Sequence, residues 1–372
     1  MLDVMAADRT LATEKDRQIF ELRAQIAALT EKLSALLVEK QFIQERLDLY
    51  RYPLLTLPSE ITSEIFIQFL PPYPETPPLT GLLSPLSLTH ICRQWRYIAL
   101  ATPALWRAIE MIFSRSSRQT RIGVEAANSI ASLWFQRSGS LPLSIRLFDH
   151  KKITLIVSTL LQYRARWEHL EATLEASRLL GVAEGAIPLL RSLSLTFSLT
   201  KSAAPVVLED VPLLRTVTLN HLAGPRISLP WSQLTTLTLR HIHPENCMLI
   251  LRQASHLVHC TLLLWEHGIP WEEQRDIAIG TDVTVPRLET LCLTAQIDSS
   301  LSAELFCSLV TPALVRLQIA EDFLRASGLN VIQTLEAFMS RSGCQLREME
   351  VTSASIPMKA YRDAFPAISI GL

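Results

Sequence analysis

The 372-residue chain reads as α plus α/β: a long N-terminal helix, a small all-helical module, and a C-terminal α/β solenoid of irregular repeats. Three observations predict this. Apolar residues alternate by three and four from Ile19 to Tyr50 with no Gly or Pro among them, which is a heptad pattern. Short amphipathic segments follow between Leu57 and Trp106. From Leu190 onward one unit, L-x-x-L-x-L, returns seven times at spacings of 20 to 32 residues, and self-similarity of that kind marks a stacked-repeat architecture.

The first element, residues 1–50, is built around one helix from Glu14 to Tyr50. Ile19, Leu22, Ile26, Leu29, Leu33, Leu36, Ile43, Leu47 and Tyr50 form its seam, and Lys40 falls in the same seam. One reading is a coiled coil joining two copies of the protein through residues 14–50, with Lys40 costing stability but helping to fix register. The other is a single amphipathic helix folded back on the rest of the chain. Arg51-Tyr52-Pro53 ends the element.

The second element spans residues 51–113. Pro58 suits the first turn of a helix because it has no N–H to leave unpaired. Ser59 and Glu60 place an acceptor and a negative charge at the positive end of the helix dipole. Ile61, Ile65, Phe66 and Phe69 then recur at helical spacing. A second amphipathic stretch, Leu86 to Leu100, carries Leu88, Ile91, Cys92, Trp95 and Ile98. About fifty residues cannot bury this much apolar surface alone, so part of it must meet something else.

The ordered set Leu57-Pro58-x-Glu60-Ile61, Ile65-Phe66, Cys92-Arg93-x-Trp95 and Leu105-Trp106 resembles an F-box. The heptad helix ahead of it is similar to the arrangement in the large F-box families of mushroom-forming fungi. The match covers about fifty residues and departs from the family in a Pro-rich insert, Pro71 to Pro85, and in Ile91 where Val is common. The resemblance implies a helical module that docks a Skp-type adaptor and, through it, a cullin. It implies adaptor-binding residues Leu57, Pro58, Ile61, Ile65, Phe66 and Trp95, with Cys92 and Trp106 in the later helices.

Residues 114–140 form a helical connector. Ser114 to Arg121 reads as a solvated link, and Val124 to Gln136 as a short helix with Ile130, Leu133 and Trp134 on one side. From Leu141 the period changes. Leu143-Ser144-Ile145-Arg146-Leu147 and Leu170 to Leu174 alternate as strands, with helical spacing between them from Lys151 to Arg166.

Residues 141–372 are the expected irregular leucine-rich-repeat solenoid. The units begin at Leu190, Leu214, Leu234, Leu257, Leu288, Leu314 and Leu346. The Asn expected three residues after the last Leu is missing, so the repeats are irregular. Helices are expected at Glu245–Ala254, Ser300–Val310, Leu329–Ser340 and Met358–Ala364. Strand alternation turns Leu193 and Leu195 inward and Ser192 and Ser194 outward. The same rule exposes His259, Thr290, Arg316, Gln318, Glu348 and Glu350 as a substrate face, with hydroxyls on early units and charges on later ones.

Composition narrows the function further. Hydrophobic residues make up 48% and charged residues 19%, with a net charge of −1, so a basic nucleic-acid surface is not expected. The N-terminus has no secretory h-region and no apolar run is long enough for a bilayer. The six cysteines have no C-x-x-C pair, which fits reduced thiols in the cytoplasm or nucleus. His241, His243, Cys247, His256, His259, Cys260 and His267 crowd together, but Cys260 takes an inward Leu slot and no paired zinc spacing follows, so no metal is expected. Phosphate-loop, dinucleotide, nucleophile-elbow and metalloprotease motifs are absent, so neither cofactor nor catalytic residues are expected. The expectation is a non-enzymatic substrate receptor of a Skp–cullin–F-box ubiquitin ligase that takes a protein substrate on its repeats. The alternative is a coiled-coil and repeat scaffold outside any ligase.

Overall fold

The computed structural model describes residues 2–49, 53–113, 124–149, 154–175, 185–198, 206–221, 227–265, 282–295, 300–325, 330–353 and 355–371. The expected link Ser114–Arg121, the seam residue Tyr50 and His267 lie outside them. The chain divides into two compact units, residues 1–62 and 63–372.

The first unit is dominated by α1, Leu2–Leu49. A short 3-10 turn, Pro53–Thr56, and the opening of α2, Ser59–Phe69, follow. The heptad side chains of α1 are exposed: Leu22 56%, Ile26 62%, Leu29 66%, Leu33 58% and Leu47 62%. No other helix among the described residues of this unit covers them. A heptad seam also drifts by about 20° per heptad around a straight helix, so it aligns only when a partner supercoils with it.

The second unit is organised by one 11-stranded sheet in which each successive pair is parallel. Its strands in order of position are β1 Ala108–Phe113, β2 Leu143–Asp149, β3 Trp167–Glu175, β4 Ser192–Ser198, β6 Thr216–Asn220, β8 Thr236–Ile242, β9 His259–Leu264, β11 Thr290–Ala295, β13 Arg316–Ala320, β14 Glu348–Thr352 and β15 Ser369–Gly371. Two small parallel pairs stand apart: β5 Val206–Val207 with β7 Ile227–Ser228, and β10 Val283–Thr284 with β12 Leu309–Val310. The period of two explains the layering. Leu193 and Leu195, Val217 and Leu219, Leu237 and Leu239, Cys260 and Leu262, Leu291 and Leu293, Leu317 and Ile319, and Met349 and Val351 are all buried. Parallel register aligns them into two apolar rows across the sheet.

The helices of this unit are α3 Pro85–Leu88, α4 Arg93–Ala101, α5 Val124–Arg137, α6 Thr154–Leu161, α7 Pro244–Gln253, α8 Ser300–Ser308, α9 Glu321–Arg325, α10 Val331–Ser342 and α11 Met358–Ala364. The amphipathic stretch Leu86–Leu100 is two helices, not one. Cys92 has extended backbone and its Sγ accepts from the Trp95 N–H, capping α4; this cap restarts the helix. The expected helix Ser300–Val310 ends at Ser308, because Leu309 and Val310 leave it to pair as β12. Helix α10 starts where the Asn330 side chain accepts from the Ile332 N–H, and it stops at Gly343, whose φ of 63° suits a left-handed cap.

The structure corrects the expected fold class. The chain is a long helix followed by an α/β unit built on one large parallel sheet. It is not a small all-helical F-box followed by a leucine-rich-repeat solenoid; the N-terminal helix is the part that agrees. The physical reason lies at the join. The F-box-like segment runs straight into β1, which pairs with β2 over its whole length. The Pro-rich insert is tied to the same strand: the Glu110 N–H donates to the Pro77 carbonyl at 2.9 Å, and the Leu79 N–H donates to the Glu110 carbonyl at 3.2 Å. Strands β1 to β3, upstream of the first L-x-x-L-x-L unit, thus extend the sheet those units form. The helical segment and the repeated strands share one hydrophobic core, from Phe66 and Trp106 through Leu237 to Phe365.

Candidate functional site

The residues singled out by the F-box resemblance fall into two groups. In the first unit, Pro58 and Ile61 are exposed and Leu57 is half-buried. In the second unit, Ile65 is 45% exposed whereas Phe66 is 1% exposed. Phe66 packs edge-on against Trp95, with ring centroids 4.9 Å apart. Phe66 and Trp95 are therefore internal contacts of the helical segment. Trp106 is fully buried and donates its indole N–H to the Ala99 carbonyl at 2.8 Å. The inside of this segment is thus packed by residues of the chain itself, Trp106 lying edge-on to Trp134 of α5 with centroids 5.2 Å apart.

Its outside carries large apolar side chains among polar ones. Phe69, Leu82, Leu83, Ile91 and Tyr97 are all strongly exposed, Leu82 at 85%. Sequence periodicity found Phe69 but missed Leu82 and Leu83, because they lie in the Pro-rich insert where no helical period applies. A groove of about 260 Å³ borders the same segment. It is lined by Leu86, Leu100, Ile130, Leu133 and Trp134, with Arg96, His90 and Arg137 among its polar members. Helix α5 supplies its far wall.

The second surface is the outward face of the sheet. Register places His259, Thr290, Arg316, Glu348 and Ser369 in one row, and Thr261, Cys292, Gln318, Glu350 and Gly371 in the next. All six residues expected on the substrate face are thus brought together on adjacent strands. Arg316 Nε lies 2.7 Å from Glu348 Oε2, and Gln318 Nε2 donates to Glu350 Oε1 at 3.1 Å. A groove of about 360 Å³ runs between these rows. Burial, with the neighbouring Glu350 charge adding to it, pushes the Cys292 thiol above its ordinary range. That keeps it protonated and a poor nucleophile.

The other end of this face carries charges that the sequence expectation did not include. Arg146 on β2 bridges Glu110 on β1 and Glu171 on β3, at 3.4 and 2.7 Å. Tyr73, from the insert, donates to Glu168 at 2.7 Å, and Arg191 holds the other oxygen of that carboxylate at 3.0 Å. The Arg107 guanidinium sits 3.6 Å from the Tyr73 ring centroid. Burial first, and then the Glu168 carboxylate, raise the Tyr73 phenol well above its ordinary value, so it stays a hydrogen-bond donor. The insert therefore occupies this end of the face, while among the described residues the β11–β15 end stays open. No local pattern announces the pairing of Arg146 with Glu110 and Glu171, because it depends on strands far apart in sequence.

The crowded His and Cys residues are dispersed by the fold. Cys247 is buried in α7 and Cys260 in the apolar row, whereas His259 points outward. Among the described residues, no three His, Cys, Asp or Glu side chains are grouped as metal ligands. An unanticipated feature is the stack of His221 on His241, with centroids 4.4 Å apart and both edged by Trp265. Both histidines have positive φ, 58° and 54°, and His241 marks the register shift between β8 and β9. No described helix is long and apolar enough to cross a membrane. In comparisons with known proteins, no family model and no curated protein matches the chain.

Proposed function

We propose that the chain is a substrate receptor of a Skp–cullin–F-box ubiquitin ligase. The segment Leu57–Trp106 docks the Skp-type adaptor and, through it, the cullin. The outward face of β9–β15 takes a protein substrate in the cytoplasm or nucleus. Chemistry then lies in trans, and the receptor contributes proximity by turning a bimolecular encounter into a local one.

One observation carries this reading. The helical segment keeps several large apolar side chains exposed, Ile65, Phe69, Ile91 and Tyr97 among them, although Phe66, Ile98 and Trp106 are already buried in the core it shares with the sheet. Exposed apolar surface left over after the core closes marks a partner site. Burying each such side chain at an interface is worth roughly 1.5–3 kcal/mol.

The test is co-purification with a Skp-type adaptor. Ile65→Asp combined with Phe69→Asp should abolish capture while leaving the thermal melt of the chain unchanged. Undiminished capture by that double variant overturns the docking assignment. Failure of the unaltered chain to capture the adaptor leaves the second reading, an interaction scaffold outside any ligase. The tie between insert and β1 favours that reading, because it gives the segment a structural role in the α/β unit.

A further inference from the structure

We propose that α1 joins two copies of this chain as an antiparallel pair in one defined register, independently of adaptor docking. The seam of α1 is exposed along its length, and its charges discriminate among the ways two copies can meet. Ile19, Ile26, Leu33, Lys40 and Leu47 occupy one core position of the heptad, and Leu22, Leu29, Leu36 and Ile43 the other.

A parallel in-register pair sets Lys40 against the partner's Lys40, a like-charge contact inside the seam. Its flanking positions set Lys32 beside the partner's Leu37, and Glu39 beside the partner's Gln44, so no ion pair offsets that contact. A parallel pair shifted by a heptad is head-to-tail and does not close.

Antiparallel pairing alternates the two core positions across the seam. In one register, Leu22 meets the partner's Leu47, Ile26 the partner's Ile43, Leu29 the partner's Lys40, and Leu33 the partner's Leu36. Each contact occurs twice by symmetry. Lys40 then packs its aliphatic stem on a leucine and carries its ammonium outward. The flanking positions bring Lys32 to the partner's Glu39, again twice. Neither Lys32 nor Glu39 has an ion-pair partner within α1 among the described residues. Shifting by one heptad either way destroys this match. One shift faces Lys32 with the partner's Lys32. The other faces Glu39 with the partner's Glu39, and Lys32 with the partner's Arg46. Among the registers that keep most of the seam paired, charge pattern therefore selects one; a shift of two heptads brings Glu39 to the partner's Arg46 but gives up half of the core contacts. The two Leu47 ends then leave the bundle in opposite directions, roughly 40 Å apart at 1.5 Å per residue.

Sedimentation of the full-length chain tests this by charge exchange. Lys32→Glu alone and Glu39→Lys alone should each weaken self-association roughly tenfold, as two attractive pairs become repulsive. Mixing the two variants should restore it, because each Glu then faces a Lys. Oxidation of Leu22→Cys mixed with Leu47→Cys should cross-link one copy of each. The unaltered chain, with its six native cysteines, is oxidised alongside as the baseline. A chain that stays monomeric, charge variants that associate normally, or a cross-link of Leu22→Cys with itself each overturns the proposal.

Discussion

In α1, Leu22, Leu29, Leu33 and Leu36 are all more than half exposed, whereas Leu193, Leu219, Leu239 and Leu293 in the sheet are at most 1% exposed. Residue type is the same in both places; spacing differs. A period of two on a parallel strand meets an identical row on each neighbour, so every added strand covers the one before it. A period of three and a half on one helix meets nothing until another helix arrives. The sheet is therefore closed by its own chain, and the helix is left with an unsatisfied stripe. The outward faces follow the same logic. The β1–β3 end is covered by the insert through Tyr73, while the β11–β15 end carries paired charges with no described segment over them.

Core truncation puts the sharpest strain on this contrast. Leu219→Ala should cost about 3 kcal/mol, within the 2–5 kcal/mol seen when buried leucines are truncated. It would read as a lower denaturant midpoint with an unchanged slope. Leu29→Ala, 66% exposed in α1, should leave the midpoint of the sheet transition where it is and weaken self-association instead. Equal losses from the two variants would break the distinction between a closed region and an open one.

A buried carboxylate gives the next effect. Glu321 is fully buried at the start of α9. It accepts from the Ser355 hydroxyl and N–H, the Ile356 N–H and the Tyr361 hydroxyl. Burial opposes its charge, but these hydrogen bonds outweigh burial and hold the carboxyl below its ordinary value. Its contribution is thus fully present above the unfolded-state value, near 4.5, and is lost as pH falls through the lower folded value. Glu321→Ala should cost about 2–3 kcal/mol at neutral pH, because four donors lose their acceptor. The gap between variant and parent should close as the pH drops below about 4. Denaturant titrations at a series of pH values measure both. A gap that stays constant down to pH 3 would assign the loss to packing rather than to charge.

Much of the sheet was legible because its signal is local. L-x-x-L-x-L states both the strand and the face of each residue, so Arg316, Gln318, Glu348 and Glu350 could be placed outward from sequence alone. The fold class was not legible, because membership of one sheet depends on pairings that no short motif records. Strand β1 joins β2 through residues 108–113 and 144–149, and nothing in either segment names the other. Treating the insert as a departure from the F-box pattern hid its structural use in binding Glu110 and Glu168. On the helical segment, periodicity identified Ile65 and Phe66 together as one stripe. Neighbours one residue apart on a helix diverge by about 100°, and only the packing of Phe66 on Trp95 decides which of the two faces inward.

The smallest effect tests the open end of the sheet face. Arg316 and Glu348 are 61% and 56% exposed, and exposed pairs contribute about 0–1 kcal/mol. Arg316→Ala should therefore shift the denaturant midpoint by less than the measurement distinguishes from about 0.5 kcal/mol. Arg146→Ala should shift it more, because that guanidinium bridges two carboxylates on neighbouring strands. If Arg316→Ala proves as costly as Arg146→Ala, the charges at the β11–β15 end hold the sheet together and are not held in reserve for a partner. If it is silent in stability but lowers recruitment of substrate by the full-length chain, the same side chain belongs to the binding face. The comparison separates the two roles because a pair that stabilises the fold is sensed by denaturant with no partner present, whereas a pair waiting for a substrate is sensed only when the substrate replaces water around it.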